Sequence, residues 1–200
     1  MKTNIFQKGL IFVISAPSGT GKTTLCHKVR KEIPNIKFSI SYTTRPIRKD
    51  EKNGADYFFI SEEIFKKYIK NNNFAEWAKV FGNYYGTLKE NLENYINKGQ
   101  DVFLDIDVKG GFQIKKNYKD SILISVLPPS IKVLKCRLEN RNTEDKKSLE
   151  KRLKKASSEI KQLEKYDYVI INDSLSKSIE TFKNIILAER CRIRPFAKIK

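Results

Sequence analysis

Five apolar residues, Leu10-Ile11-Phe12-Val13-Ile14, lead almost directly into Ala16-Pro17-Ser18-Gly19-Thr20-Gly21-Lys22-Thr23, and this junction limits the possible folds more than any other feature. An apolar run without alternation is expected of a central parallel strand covered on both faces. The segment that follows places Leu25, Val29 and Ile33 four residues apart and stops at Pro34, which predicts a helix. Strand, loop and helix in that order match the phosphate-binding loop, with alanine in place of its first glycine. Gly19 and Gly21 let the backbone curl so that successive N–H groups converge on a phosphate, and the helix N-terminus adds its positive end. Lys22 is expected to reach the β- and γ-oxygens of a bound ATP, and Thr23 to offer its hydroxyl to Mg²⁺, with Thr24 beside it.

Further buried strands are expected at residues 101–106, 121–127 and 168–171, separated by amphipathic helical sequence. That alternation predicts an α/β fold with a central parallel sheet flanked by helices. Pro128-Pro129 ends the third strand, and Ile179, Phe182 and Ile186 mark a C-terminal helix whose basic tail, residues 190–200, is expected to fray. Between residues 41 and 95 the texture changes. Asn53-Gly54 signals a tight turn, while residues 57–60 and 74–80 read as short strands of an inserted β-rich lobe. Ile64, Phe65, Tyr68 and Ile69 give the helix between them an apolar stripe, with Ser61 as its N-cap. Residues 136–163 read as a helical hairpin, with Leu149, Leu153, Ala156, Ile160 and Leu163 on one face. The expected division is one domain: a core of about 9–40, 96–135 and 164–195, the lobe at about 41–95 and the hairpin at about 136–163.

A net charge of +17 implies attraction to anions, but lysines are spread through nearly every segment and no RNA- or DNA-binding signature accompanies them. The densest stretch, residues 146–155, mixes its cations with Glu150, Leu149 and Leu153, as a solvated helix face does. Nucleic acid is therefore not expected as the partner. Cys26, Cys136 and Cys191 lack the spacing of a zinc site and the density of a disulfide scaffold, which fits a reducing cytoplasm. No apolar run behind Met1 reaches the length of a signal or a membrane span, so neither export nor a membrane partner is expected. His27 reads as a surface residue.

An apolar strand ending in acid supplies a second metal-binding element, and Val102-Phe103-Leu104-Asp105 provides it. Asp107 follows, on the same side if the strand continues that far. One carboxylate could then hold a metal-bound water while the other orients the acceptor; alternatively they cap the next helix.

The acceptor has to be read from the lobe. Thr43-Thr44-Arg45-Pro46-Ile47-Arg48, Asn53-Gly54-Ala55-Asp56-Tyr57-Phe58-Phe59, Phe74-Ala75-Glu76-Trp77-Ala78, Gly82-Asn83-Tyr84-Tyr85-Gly86-Thr87 and Leu104-Asp105-Ile106-Asp107 occur in that order. Together with the phosphate loop they closely resemble guanylate kinases, from Gly9 to about Arg190. The resemblance implies a P-loop kinase that phosphorylates GMP, and dGMP, with ATP and Mg²⁺; the lobe binds GMP and the hairpin is a lid. Guanine presents N1–H and its 2-amino group side by side, so one carboxylate can accept from both, and adenine offers no such pair. Glu76 matches that reader, while Ser41 and Thr87 match family positions whose hydroxyls contact the base. Arg45, Arg48, Tyr57 and Tyr85 match the holders of the GMP phosphate, and Asp105 and Asp107 border the acceptor.

Arg137, Arg141 and Arg152 match lid arginines that close over the transferring phosphoryl, although by their i, i+4 spacing alone Arg137 and Arg141 would more often face solvent. With Lys22, Arg45 and Asp105 they complete the catalytic set that the resemblance implies. Three departures from the family pattern stand out. Pro46 directly follows Arg45 instead of preceding the second arginine, Asn140 and Asn142 stand where glycines are usual, and Lys109 replaces a glutamine. Two other readings remain open at this level: a silent module that binds proteins through the old acceptor groove, and a P-loop kinase for another small phosphate ester.

Overall fold

The computed structural model describes residues 8–33, 36–139 and 146–193, without the side chains of residues 146–149 and 151. The chain opens with β1 (Ile11–Ser15), α1 (Lys22–Glu32) and β2 (Lys37–Phe38). It then builds β3 (Tyr42–Thr43), β4 (Phe58–Phe59), α2 (Glu62–Lys70), β5 (Phe74–Val80), β6 (Asn83–Leu88) and α3 (Lys89–Ile96). After these come β7 (Val102–Asp105), α4 (Val108–Asn117), β8 (Ile122–Leu127), α5 (Ile131–Glu139), α6 (Lys146–Leu163), β9 (Tyr168–Ile171) and α7 (Leu175–Cys191).

Every stretch read as a buried strand joins one parallel sheet, in the order β2-β7-β1-β8-β9. The unbroken apolar run of β1 has a clear cause: Phe12, Val13 and Ile14 are wholly buried between two neighbours, with Val13 in register with Leu104 and Leu123. Phe12 and Ile14 face a layer containing Leu25, Val29 and Phe182, while Ile11 and Val13 face one containing Leu92 and Ile114. Each such side chain contributes about 1.5–3 kcal/mol through burial. Leu25 and Val29 carry α1 as expected, but the helix ends at Glu32 and Ile33 is its half-buried C-cap.

A second sheet, ordered β4-β3-β6-β5, forms the lobe. Phe65 of α2 stacks on Phe74 at 4.4 Å and on Tyr84 at 5.3 Å, and Ser61 caps the helix by accepting from Ile64 N at 3.2 Å. The apolar stripe is narrower than expected: Ile64, in the first turn of α2, is 43% exposed.

Two further expectations need correction. β7 stops at Asp105 instead of reaching Ile106, and of the two readings of Asp107 the helix cap holds: it is the N-cap of α4 and accepts from Gly110 N at 2.8 Å. Arg190 is not part of a frayed tail either. Its Nε donates to Asp101 Oδ2 at 2.7 Å, while Asp101 Oδ1 accepts from Leu10 N at 2.8 Å, so the last turn of α7 is tied to the start of β1. Pro34, Asn140, Arg141, Asn142 and residues 194–200 lie outside the described residues. Among the described residues, no helix is long and apolar enough to cross a membrane.

Candidate active site

The phosphate loop bridges the end of β1 and the start of α1, and left-handed backbone at Gly19 (φ 92°) and Gly21 (φ 89°) makes its curl. A side chain there would also displace its neighbours: a Cβ on Gly21 would lie 2.7 Å from Asn172 Nδ2, and one on Gly19 would lie 2.8 Å from Leu138. The loop is braced from behind. Asn172 Nδ2 donates to Thr20 O at 2.7 Å, and Arg137 donates to Thr20 O at 3.2 Å and Asn172 O at 3.1 Å. Ser178 in turn donates to Asn172 Oδ1 at 3.0 Å, which fixes the amide's orientation. Thr23 and Thr24 are exposed on the first turn of α1.

Lys22 Nζ lies 2.5 Å from Asp105 Oδ1 and 3.3 Å from Ile106 O. Burial works against the ammonium, but the charge and hydrogen bond of Asp105 outweigh it and hold the Lys22 pKa above its ordinary value. Lys22 therefore stays cationic throughout the range in which nucleotides bind. The turn after Asp105 is held by a relay in which Tyr166 OH donates to Ser15 Oγ at 2.8 Å and Ser15 Oγ donates to Ile106 O at 3.0 Å. Burial pushes the Tyr166 phenol up to about 12, so it remains a donor.

In the lobe, Glu76 is only 3% exposed. It sits opposite Thr87 in the β5–β6 register, just past an irregularity between Phe74 and Glu76. Thr87 Oγ1 donates to Glu76 Oε1 at 2.7 Å, and Ser41 Oγ lies 3.5 Å from Thr87 Oγ1. Burial pushes the Glu76 carboxyl up to about 7; the Thr87 hydrogen bond opposes this and the charge of Asp107 adds to it. Helix α4 fastens the strand on both sides of Glu76. Asn117 Nδ2 donates to Ala75 O at 2.9 Å, while Gln113 accepts from Trp77 N at 3.2 Å and donates to Trp77 O at 2.8 Å. Gly110 leaves room for the carboxylate, since a Cβ there would lie 2.5 Å from Glu76 Oε2.

Arg45 lies 5.6 Å from the ring centroids of both Tyr57 and Phe59. Its guanidinium pairs with Glu51 at 2.7 Å, and the other Glu51 oxygen accepts from Arg48 N at 2.9 Å. Tyr57 and Tyr85 meet edge to face at 5.9 Å. Burial first, and then the charge of Asp105, raise the Tyr57 phenol above its ordinary pKa, so this ring belongs electrostatically to the Lys22–Asp105 centre. From the hairpin, Arg152 reaches Ser18 Oγ at 3.4 Å. The loop residues 16–23, Phe81, Asp107, Arg152, Lys155 and Glu159 line one cavity.

A guanylate kinase family model matches residues 8–189 of this sequence. The chain belongs to the guanylate kinase family. The guanylate kinase of Syntrophotalea carbinolica is 47% identical over 186 residues, covering 93% of this chain and 89% of the relative. That of Clostridium tetani is also 47% identical, over 187 residues, with coverages of 94% and 89%. The crystal structure of guanylate kinase from Anaplasma phagocytophilum superimposes with a TM-score of 0.77 at 35% identity, over 93% of this chain and 88% of that one. A shikimate kinase from Bacteroides thetaiotaomicron, at 12% identity and a TM-score of 0.52 over 89% and 98% of the two chains, shares the fold alone.

Membership in the guanylate kinase family makes the chain an ATP-using transferase that phosphorylates GMP to GDP. The structure brings Lys22 and Asp105 together, groups Glu76 with Thr87 and Ser41, and sets Arg45 beside Tyr57. The structure places the Arg137 guanidinium beside the phosphate loop, where it donates to the backbone carbonyls of Thr20 and Asn172. With Pro46 displaced, Arg48 enters a turn closed by Glu51, whose N–H donates to Arg48 O at 3.1 Å. Lys109 is exposed. Glu51, Asn172, Gln113 and Lys155 were not anticipated as site residues. Only Glu51 had a local signal, as an acid close to two arginines in a turn-rich stretch.

Proposed function

We propose that GMP or dGMP lies between Glu76 and Arg45 and receives the γ-phosphoryl of an ATP cradled by residues 16–24, by direct in-line transfer. The observation that carries this reading is the buried Glu76 carboxyl, which sits beside two hydroxyls and has the Gly110 backbone at its back. Such a group accepts from guanine N1–H and the 2-amino group; the Ser41 hydroxyl would donate to O6, while Thr87, which donates to Glu76, would hold the carboxylate in place. Adenine would leave the carboxylate unpaired and desolvated, a mismatch that polar sites reject strongly. Arg45, Arg48, Tyr57 and Tyr85 hold the acceptor phosphate by charge-assisted bonds. Lys22 bridges the donor phosphates, and Asp105, its partner before ATP arrives, orients the acceptor together with Asp107. Arg152 and Arg141 add charge over the transferring group, and Arg137 keeps the loop in shape from behind.

The donor set fits Mg²⁺. Among the described residues no cluster of three or more acids, histidines or cysteines could cage a metal. Mg²⁺ is commonly held by one or two protein oxygens together with phosphates and water. Thr23, and Asp105 through water, would hold it, and the ion would neutralise charge on the β- and γ-phosphates.

The core, the GMP lobe at about 41–95 and the lid at about 136–163 are the working parts of this reading. The three unpaired cysteines support a cytoplasmic setting. ADP formation with GMP, dGMP, AMP and UMP, in wild type and in Lys22→Ala and Glu76→Gln, tests the reading. Guanine nucleotides are expected to be used alone, Lys22→Ala to lose roughly a hundredfold or more in kcat, and Glu76→Gln to lose guanine preference. Equal use of AMP would remove the role of Glu76, and full turnover in Lys22→Ala would remove the mechanism.

A further inference from the structure

The β5–β6 hairpin breaks a local rule at its tip. Val80 pairs with Asn83, so Phe81 and Gly82 alone form the loop, with φ of 47° and 86°. A two-residue turn with both φ values positive favours Asn, Asp or Gly at its first position, and a bulky aromatic residue in left-handed backbone is disfavoured. Phe81 is also 65% exposed, so burial does not compensate. Neither turn chemistry nor core packing explains this residue, a pattern expected at functional positions.

What the ring meets is charge. Lys155 Nζ lies 4.4 Å from its centroid and Arg152 Cζ lies 5.8 Å from it, both within the range of cation–π attraction. The two cations are one turn apart on α6, and Arg152 also reaches Ser18 of the phosphate loop at 3.4 Å. Lys155 is shared with Glu159, 3.5 Å away. Ring, cations and loop line the same cavity.

We propose that Phe81 is a positioning residue for phosphoryl transfer, a latch at the tip of the GMP lobe whose ring seats Arg152 and Lys155 of α6 against the phosphate loop. It makes Lys155 a second α6 cation of the donor site, and it ties that site to the lobe carrying Glu76 through one side chain. The proposal rests on the site reading above and adds to it an aromatic contact that joins lobe, lid and loop.

Phe81→Asn separates this role from folding, because asparagine suits the turn better than phenylalanine does. Melting temperature and steady-state kcat and KM for ATP and GMP would be measured for wild type, Phe81→Asn, Phe81→Tyr, Lys155→Gln and the Phe81→Asn, Lys155→Gln double variant. Phe81→Asn is expected to melt no lower than wild type yet to lose roughly five- to thirtyfold in kcat/KM for ATP, the scale of two partly exposed cation–π contacts. Phe81→Tyr should retain activity, KM for GMP should change little, and the losses of Phe81→Asn and Lys155→Gln should be less than additive. Unchanged kcat/KM for ATP in Phe81→Asn, an equal loss in Phe81→Tyr, or strict additivity would each overturn the latch. Any of these leaves the site reading intact, because that reading fails on a different result, turnover in Lys22→Ala.

Discussion

Glu76 is a side chain through which solution pH acts on this site. It is buried, and its carboxyl is pushed up from 4.5 to about 7. A raised carboxyl pKa means that the fold prefers the protonated form. The stability associated with that preference is fully present below pH 4.5 and is lost as pH rises through about 7. At about 1.4 kcal/mol per pKa unit the loss is on the order of 3 kcal/mol. Glu76→Gln removes the titration, so the stability of wild type relative to Glu76→Gln should fall steadily as pH rises from 5 to 7.5. Urea unfolding at each pH would show this, and parallel curves for the two proteins would contradict it. Guanine binding works in the opposite direction, since its two donors stabilise the carboxylate.

At the scale of elements, the phosphate loop keeps its shape because β9 and α5 brace it. The brace is Asn172, buried just past β9, with one amide hydrogen bond to Thr20 O at 2.7 Å and a second to Ser178. Asn172→Ala takes a bond from the Thr20 carbonyl and leaves the Ser178 hydroxyl without its acceptor. Leaving buried polar groups unpaired costs about 1–3 kcal/mol. At roughly 2–4 °C per kcal/mol for a chain of this size, calorimetry should show a drop of several degrees. KM for ATP should rise as well, because the loop amides lose their alignment, whereas an unchanged melting temperature would deny the brace. Helix α4 plays the matching part for the acceptor: its N-cap is Asp107, its Gly110 makes room for Glu76, and its Gln113 and Asn117 hold the strand on either side.

For the whole molecule, the net charge of +17 is spread rather than gathered, and both substrates are anions. A field of this kind concentrates nucleotides near the cleft and is screened by salt, with a Debye length of about 10 Å at 0.1 M. Raising ionic strength should therefore lift KM for ATP and GMP several-fold while kcat moves little; salt-independent KM values would assign the charge to something other than substrate capture. The strands of the parallel core and the phosphate loop were legible in the sequence because each is signalled by neighbours within a few residues, whereas the acceptor residues of the lobe were legible through the resemblance to guanylate kinases. Apolar runs declare burial, glycines declare left-handed turns, and Ser61 caps a helix that begins beside it. Sequence patterning left open whether Asp107 continues β7 or caps α4, and could not show that Arg137 donates to the carbonyls of Thr20 and Asn172. Nor could it show that Asn172 reaches Thr20 across 152 positions, or that Phe81 meets Arg152 and Lys155. Those outcomes depend on which distant backbone and side-chain groups the packed core brings into contact, and local periodicity carries no record of them.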